Sequence, residues 1–117
     1  MTTILSIEDS GFERKVIQNA LEDQDYEFVG ASNAEEGLQK YEEVNPDLVL
    51  LDIRLPDKDG IEVLKELHEE YSDPKVIMVS IVREDETKDE AKELGAIDYV
   101  EKPVDEDELL EAIENAL

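Results

Sequence analysis

Asp47-Leu48-Val49-Leu50-Leu51-Asp52-Ile53-Arg54-Leu55-Pro56-Asp57-Lys58-Asp59-Gly60 is the stretch that decides how this chain folds. Four large aliphatics in succession leave no solvent face, so Leu48 to Leu51 reads as a strand buried on both sides. The proline and glycine that follow mark a loop. A carboxylate, Asp52, therefore stands at the carboxyl end of a buried strand, where open α/β sheets place their ligand sites.

The same design recurs along the chain. Ile4-Leu5-Ser6-Ile7 is a second strand candidate and ends in Glu8-Asp9. Val76-Ile77-Met78-Val79 ends in Ser80, and Ala96 to Val100 leads into Lys102-Pro103. Tyr26 to Ala31 is a further short strand. Helical patterns separate these runs. Ser10 caps a helix whose apolar positions are Phe12, Val16, Ile17, Ala20 and Leu21. Asn33 caps one carrying Ala34, Leu38, Tyr41 and Val44, stopped at Asn45-Pro46. A third starts near Gly60 and presents Ile61, Leu64, Leu67 and Tyr71. The fourth runs from about Glu84 to Leu94, nearly all charged, with Ala91 and Leu94 as its apolar anchors and Gly95 as its stop. The last opens on Asp105-Glu106-Asp107-Glu108, which complements the helix dipole, and buries Leu109, Ala112, Ile113 and Ala116. Five strands and five helices in strict alternation predict an α/β fold, a parallel sheet with helices on both faces.

At 117 residues the chain is expected to be one domain, 1–117, with a single mostly aliphatic core. The absence of cysteine excludes disulfides, thiol nucleophiles and cysteine-ligated metals. No apolar segment approaches a membrane span and no basic leader precedes an apolar stretch, so a cytoplasmic protein with no membrane insertion is expected. Eleven basic residues against 34 acidic ones give a formal charge of −23, which repels nucleic acid and argues against direct DNA binding. The acidity reads either as a solvated, solubility-tuned surface or as recognition of a basic partner. It also opposes self-association, so a monomer is expected.

Glu8, Asp9 and Asp52 converge on one sheet edge. Three carboxylates in one cleft repel one another, so a proton or a cation must enter. A hard divalent ion with oxygen ligands answers this, and Mg²⁺ suits a site that keeps waters and receives a phosphoryl group. Lys102 adds a compact positive charge and Ser80 a hydroxyl. Together these groups would stabilise the spread negative charge of a transferring phosphoryl, with Asp52 as its nucleophile.

With Glu8-Asp9, Asp52, Pro56, Gly60, Ser80, Tyr99 and Lys102-Pro103 in this order and spacing, the chain resembles the response-regulator receiver domains, the CheY-like family, over its full length. The resemblance implies strand order 2-1-3-4-5. It implies that Asp52 is the phosphoacceptor and that Asp9 ligates Mg²⁺ directly, with Glu8 assisting and Arg54 offering its backbone carbonyl. Lys102 would pair with the phosphoryl oxygens, and its bond to Pro103 would be cis. Ser80 and Tyr99 would form the switch, remodelling the face made of the fourth helix, fifth strand and fifth helix. Read by itself, Tyr99 is equally a half-buried core tyrosine with a polar tip.

The implied function is a phosphorylation-dependent signalling switch, not an enzyme with its own substrate. It would take a phosphoryl group from a histidine kinase and then bind a downstream target protein, as a stand-alone chemotaxis-type regulator, a phosphorelay intermediate, or a receiver cut from a longer regulator. The residue after the switch hydroxyl is commonly small in this family; here it is Ile81, which is expected to crowd the phosphoryl and slow its hydrolysis. Val82 offers no acid or carboxamide to position water, which points the same way. An aspartate-nucleophile phosphatase would need a second carboxylate at Arg54, and a flavodoxin-like carrier a hydroxyl-rich loop where Glu8-Asp9 stands. His68, the single histidine, lies among Glu66, Glu69 and Glu70 and is expected to be solvated. Asp57-Lys58-Asp59-Gly60 fails as a calcium loop, because Leu55 and Glu62 occupy positions that need an acid and an apolar residue.

Overall fold

The computed structural model describes residues 1–117. Its elements alternate without exception: β1 (Thr2–Ile7), α1 (Gly11–Leu21), β2 (Tyr26–Ala31), α2 (Ala34–Val44), β3 (Leu48–Leu51), α3 (Gly60–Glu70), β4 (Val76–Ser80), α4 (Asp85–Glu93), β5 (Asp98–Glu101) and α5 (Glu106–Ala116). The strands form one parallel sheet in the order β2-β1-β3-β4-β5.

Alternating strand residues feed two cores. Leu5, Ile7, Val49, Leu51, Val76 and Met78 face α2, α3 and α4, where they meet Tyr41, Leu64, Leu67 and Ala91. Ile4, Leu48, Leu50, Ile77, Val79 and Val100 face α1 and α5, where they meet Ile17, Leu21, Leu109 and Ile113. Burial on both faces is the physical reason the central strands read as unbroken apolar runs.

Side-chain caps start four helices. Ser10, Asn33, Asp59 and Asp105 accept from the backbone N–H groups of Glu13, Glu36, Ile61 and Glu108. Helix α4 has no side-chain cap. Asp57 acts at a distance: its two oxygens accept from the N–H groups of Ala34 and Glu35, at 2.9 and 3.0 Å, and so bind the β3–α3 loop to the start of α2. Those bonds hold its carboxyl below the usual aspartate range.

Three expectations need correction. Phe12 is 70% exposed and lies outside the core. It precedes Ile17 by five residues, which at 3.6 residues per turn rotates it about 140° off the buried stripe. His68 is partly buried rather than solvated: its Nδ1 lies 3.0 Å from the Leu64 carbonyl, and its ring fills the space a side chain at Gly95 would need. Gly95, at φ 107°, turns the chain after α4 in the left-handed region. Finally, β5 begins at Asp98 rather than at Ala96.

Candidate functional site

The parallel register puts the carboxyl ends of β1, β3 and β4 side by side, with Ile7 opposite Leu51 and Leu51 opposite Met78. Backbone bonds then carry the ladder one residue past the strands. Glu8 N–H donates to the Ala31 carbonyl, Asp52 N–H to Ile7 and Lys102 N–H to Ser80, at 2.9 to 3.0 Å. Each functional side chain therefore leaves a fixed backbone.

Glu8, Asp52, Ser80 and Lys102 are all buried. Lys102 Nζ donates to Asp52 Oδ2 at 2.9 Å and to Glu8 Oε1. Glu8 Oε2 accepts from Ser10 N–H at 3.1 Å, and Asp52 Oδ1 from Arg54 N–H at 3.3 Å. Arg14 reaches back to the Glu8 carbonyl oxygen at 2.6 Å. The Lys102-Pro103 bond is cis, as the resemblance implies.

The electrostatics follow from this burial. Loss of water raises the Glu8 carboxyl, and the nearby Asp52 charge adds to the rise, against the Lys102 hydrogen bond. Burial also works against the Lys102 charge, but its hydrogen bonds to Glu8 and Asp52 outweigh that and hold it above the usual lysine value.

Glu8, Asp9 and Asp52 each offer a carboxylate oxygen, and these atoms lie within 4.8 Å of one another. Glu8 and Asp52 are buried while Asp9 is exposed. One ammonium against three such carboxylates leaves net negative charge, and an all-oxygen donor set fits a hard divalent cation such as Mg²⁺.

Ser80 and Tyr99 meet through one residue. Ser80 Oγ accepts from Val82 N–H at 3.2 Å, and the Tyr99 hydroxyl donates to the Val82 carbonyl. Burial pushes the Tyr99 phenol up. A second group of charges braces the same region: Glu101 pairs with Lys88 of α4 and lies 3.8 Å from Arg83 Nε, while Arg83 also donates to the Lys102 carbonyl at 2.7 Å. Lys88 Nζ stands 5.5 Å from the centre of the Tyr99 ring. Ile81, beside Ser80, is 52% exposed.

Sequence reasoning identified Glu8, Asp9, Asp52, Ser80, Tyr99 and Lys102, and the fold brings them to one end of the sheet. It did not identify Glu13, whose Oε2 lies 3.9 Å from Lys102 Nζ, nor the Arg83–Lys88–Glu101 brace. Glu13 carries a weak signal, since it falls in the first turn of the helix that follows Glu8-Asp9. The brace links separate elements and leaves no periodic trace.

A family model described as the response regulator receiver domain matches residues 4–114. The chain is 39% identical over 117 residues to the chemotaxis protein CheY of Listeria monocytogenes, covering 99% of this chain and 98% of that protein. A CheY-like response regulator receiver domain protein from Methanospirillum hungatei superposes with a TM-score of 0.92 at 35% identity, over 98% of this chain and 92% of that one. CheY in the CheX-CheY-BeF3-Mg complex from Borrelia burgdorferi superposes with a TM-score of 0.93 at 27% identity, over 97% and 87%.

Proposed function

The chain belongs to the response regulator receiver family, the CheY-like domains of two-component signalling, and from that premise we propose that Asp52 accepts a phosphoryl group from a histidine kinase and that the modified domain then binds a target protein. The observation that carries this reading is the single ammonium, Lys102 Nζ, shared by the buried carboxylates of Asp52 and Glu8.

In the transfer, an Asp52 carboxylate oxygen bonds to phosphorus as the donor's P–N bond breaks, and the imidazole nitrogen leaves with the bonding pair. Lys102 Nζ, bonded to Asp52 Oδ2, would follow the charge onto the phosphoryl oxygens. The Ser80 hydroxyl would donate to another of those oxygens, and the inward move that reaches it would break its present bond from Val82 N–H. Glu8, Asp9 and Asp52, with the Arg54 carbonyl, would hold Mg²⁺. Bound Mg²⁺ would neutralise charge developing on the phosphoryl oxygens.

Release of Val82 by Ser80 gives the signal a route outward. The Val82 carbonyl also holds the Tyr99 hydroxyl, so movement of this one backbone segment would free the ring and alter the α4–β5–α5 face. The domain would work as a cytoplasmic monomer, with chemotaxis as the setting the CheY relatives favour. It would catalyse its own phosphoryl uptake and loss and turn over no other substrate.

Incubation with Mg²⁺ and a small phosphodonor, followed by intact-protein mass measurement, tests the reading. A gain of one phosphoryl group that is absent in Asp52→Asn is expected. Uptake that persists in Asp52→Asn would overturn it.

A further inference from the structure

We infer that Glu13 selects among phosphodonors by charge, disfavouring those that carry more negative charge to Asp52. The inference rests on Asp52 being the phosphoacceptor. Three carboxylates stand around Lys102 Nζ: Glu8, Asp52 and, at 3.9 Å, Glu13. The first two side chains are sealed from water, at 3% and 7% exposure, whereas that of Glu13 is 34% exposed. Glu13 is therefore the one of the three that a molecule arriving from solvent can meet directly.

Its position is held by the backbone. Glu13 N–H donates to Ser10 Oγ at 3.2 Å in the first turn of α1, so the side chain projects from a capped helix start. The bond that matters for catalysis forms between an Asp52 oxygen and phosphorus, while the donor's leaving group departs with its electron pair. Acetyl phosphate loses acetate from its P–O bond. Phosphoramidate loses ammonia from its P–N bond, its nitrogen already protonated. Near neutral pH the first donor is mainly a dianion and the second a monoanion.

A carboxylate close to Lys102 offsets part of the positive charge these anions approach, and the effect is larger for the dianion. At about 4.5–6.5 Å in a water-like dielectric, one extra unit of donor charge corresponds to roughly a three- to fivefold difference in rate. That difference should shrink near 1 M salt, where the Debye length falls to about 3 Å.

The test compares Asp52 phosphorylation rates in wild type, Glu13→Gln and Glu13→Asp, with both donors, at low and high salt. Gln keeps the size of the side chain and the backbone cap; Asp keeps the charge. Glu13→Gln is expected to speed uptake from acetyl phosphate roughly three- to fivefold more than uptake from phosphoramidate, with the gap closing at high salt. Glu13→Asp is expected to stay near the wild-type donor ratio. Equal changes with both donors, or the same ratio shift in Glu13→Asp as in Glu13→Gln, would overturn the inference and leave the phosphoacceptor reading intact. Failure of the wild type to take up phosphoryl at Asp52 from either donor would overturn both.

Discussion

Lys102 Nζ lies 2.9 Å from Asp52 Oδ2 although fifty residues separate them, and the same nitrogen is bonded to Glu8. A buried ammonium between two buried carboxylates is stabilising only as a complete set, because removing one member strands the others in a medium of low dielectric. The arrangement thus serves two ends. It gives two buried carboxyl groups a shared partner, and it holds a cation against the carboxylate that would receive a phosphoryl group.

Lys102→Met should therefore destabilise the metal-free domain by about 3–5 kcal/mol, since Glu8 and Asp52 lose their partner. Mg²⁺ should restore part of this loss, because a bound cation replaces the missing charge. Urea unfolding with and without Mg²⁺ checks this. A variant as stable as wild type in metal-free buffer would contradict it.

Gly60 supports the site without touching it. A Cβ there would clash with the Asp52 carbonyl oxygen and lie 2.6 Å from Ile53 Cα, while Gly60 N–H donates to the Ile53 carbonyl at 2.7 Å. Gly60→Ala should force the Asp52–Ile53 backbone aside, cost roughly 1–3 kcal/mol and weaken Mg²⁺ binding. Denaturation and metal titration measure the two effects; unchanged metal affinity would show that the shift does not reach Asp52.

The Glu101 brace gives a pH prediction. The Lys88 hydrogen bond, helped by the Lys88 and Arg83 charges, holds the Glu101 carboxyl below the usual glutamate range. A lowered folded-state value means the stabilisation is present above the ordinary glutamate value of about 4.3 and is lost as pH falls through the lowered one. Wild type should be more stable than Glu101→Gln at neutral pH, and the gap should close on acidification. A gap independent of pH would rule the ion pair out as its cause.

Ile81 sits half-exposed beside Ser80 at the rim of the site. Ile81→Ala should open access to a phosphorylated Asp52, speeding both hydrolysis and uptake from small donors. Following phosphoryl loss by intact mass tests this, and unchanged rates would remove the idea.

Much of this was legible in the sequence. Polar residues that end apolar runs stand out, so Glu8, Asp52, Ser80 and Lys102 could be placed at strand ends, and the alternation of runs set the fold class. Ser10 and Asn33 were readable as caps because capping is local. What escaped depends on pairing between distant elements. Asp57 caps a helix 23 residues away, and Glu101 pairs with Lys88 across 13 residues. Glu13 looked like one more acid in a chain with 34 of them until α1 was packed beside Lys102. Phe12 is the opposite case: an apolar residue near a helix start fits a core pattern in sequence although the helix turns it away.

Switching driven from Asp52 is tested most directly by amide NMR in Mg²⁺, before and after adding beryllofluoride, which mimics an aspartyl phosphate. Shifts are expected at Asp52, Ser80, Val82, Tyr99 and Lys102 that extend into α4 and α5 and vanish in Asp52→Asn. Spectra that do not change, or changes that survive in Asp52→Asn, would contradict it.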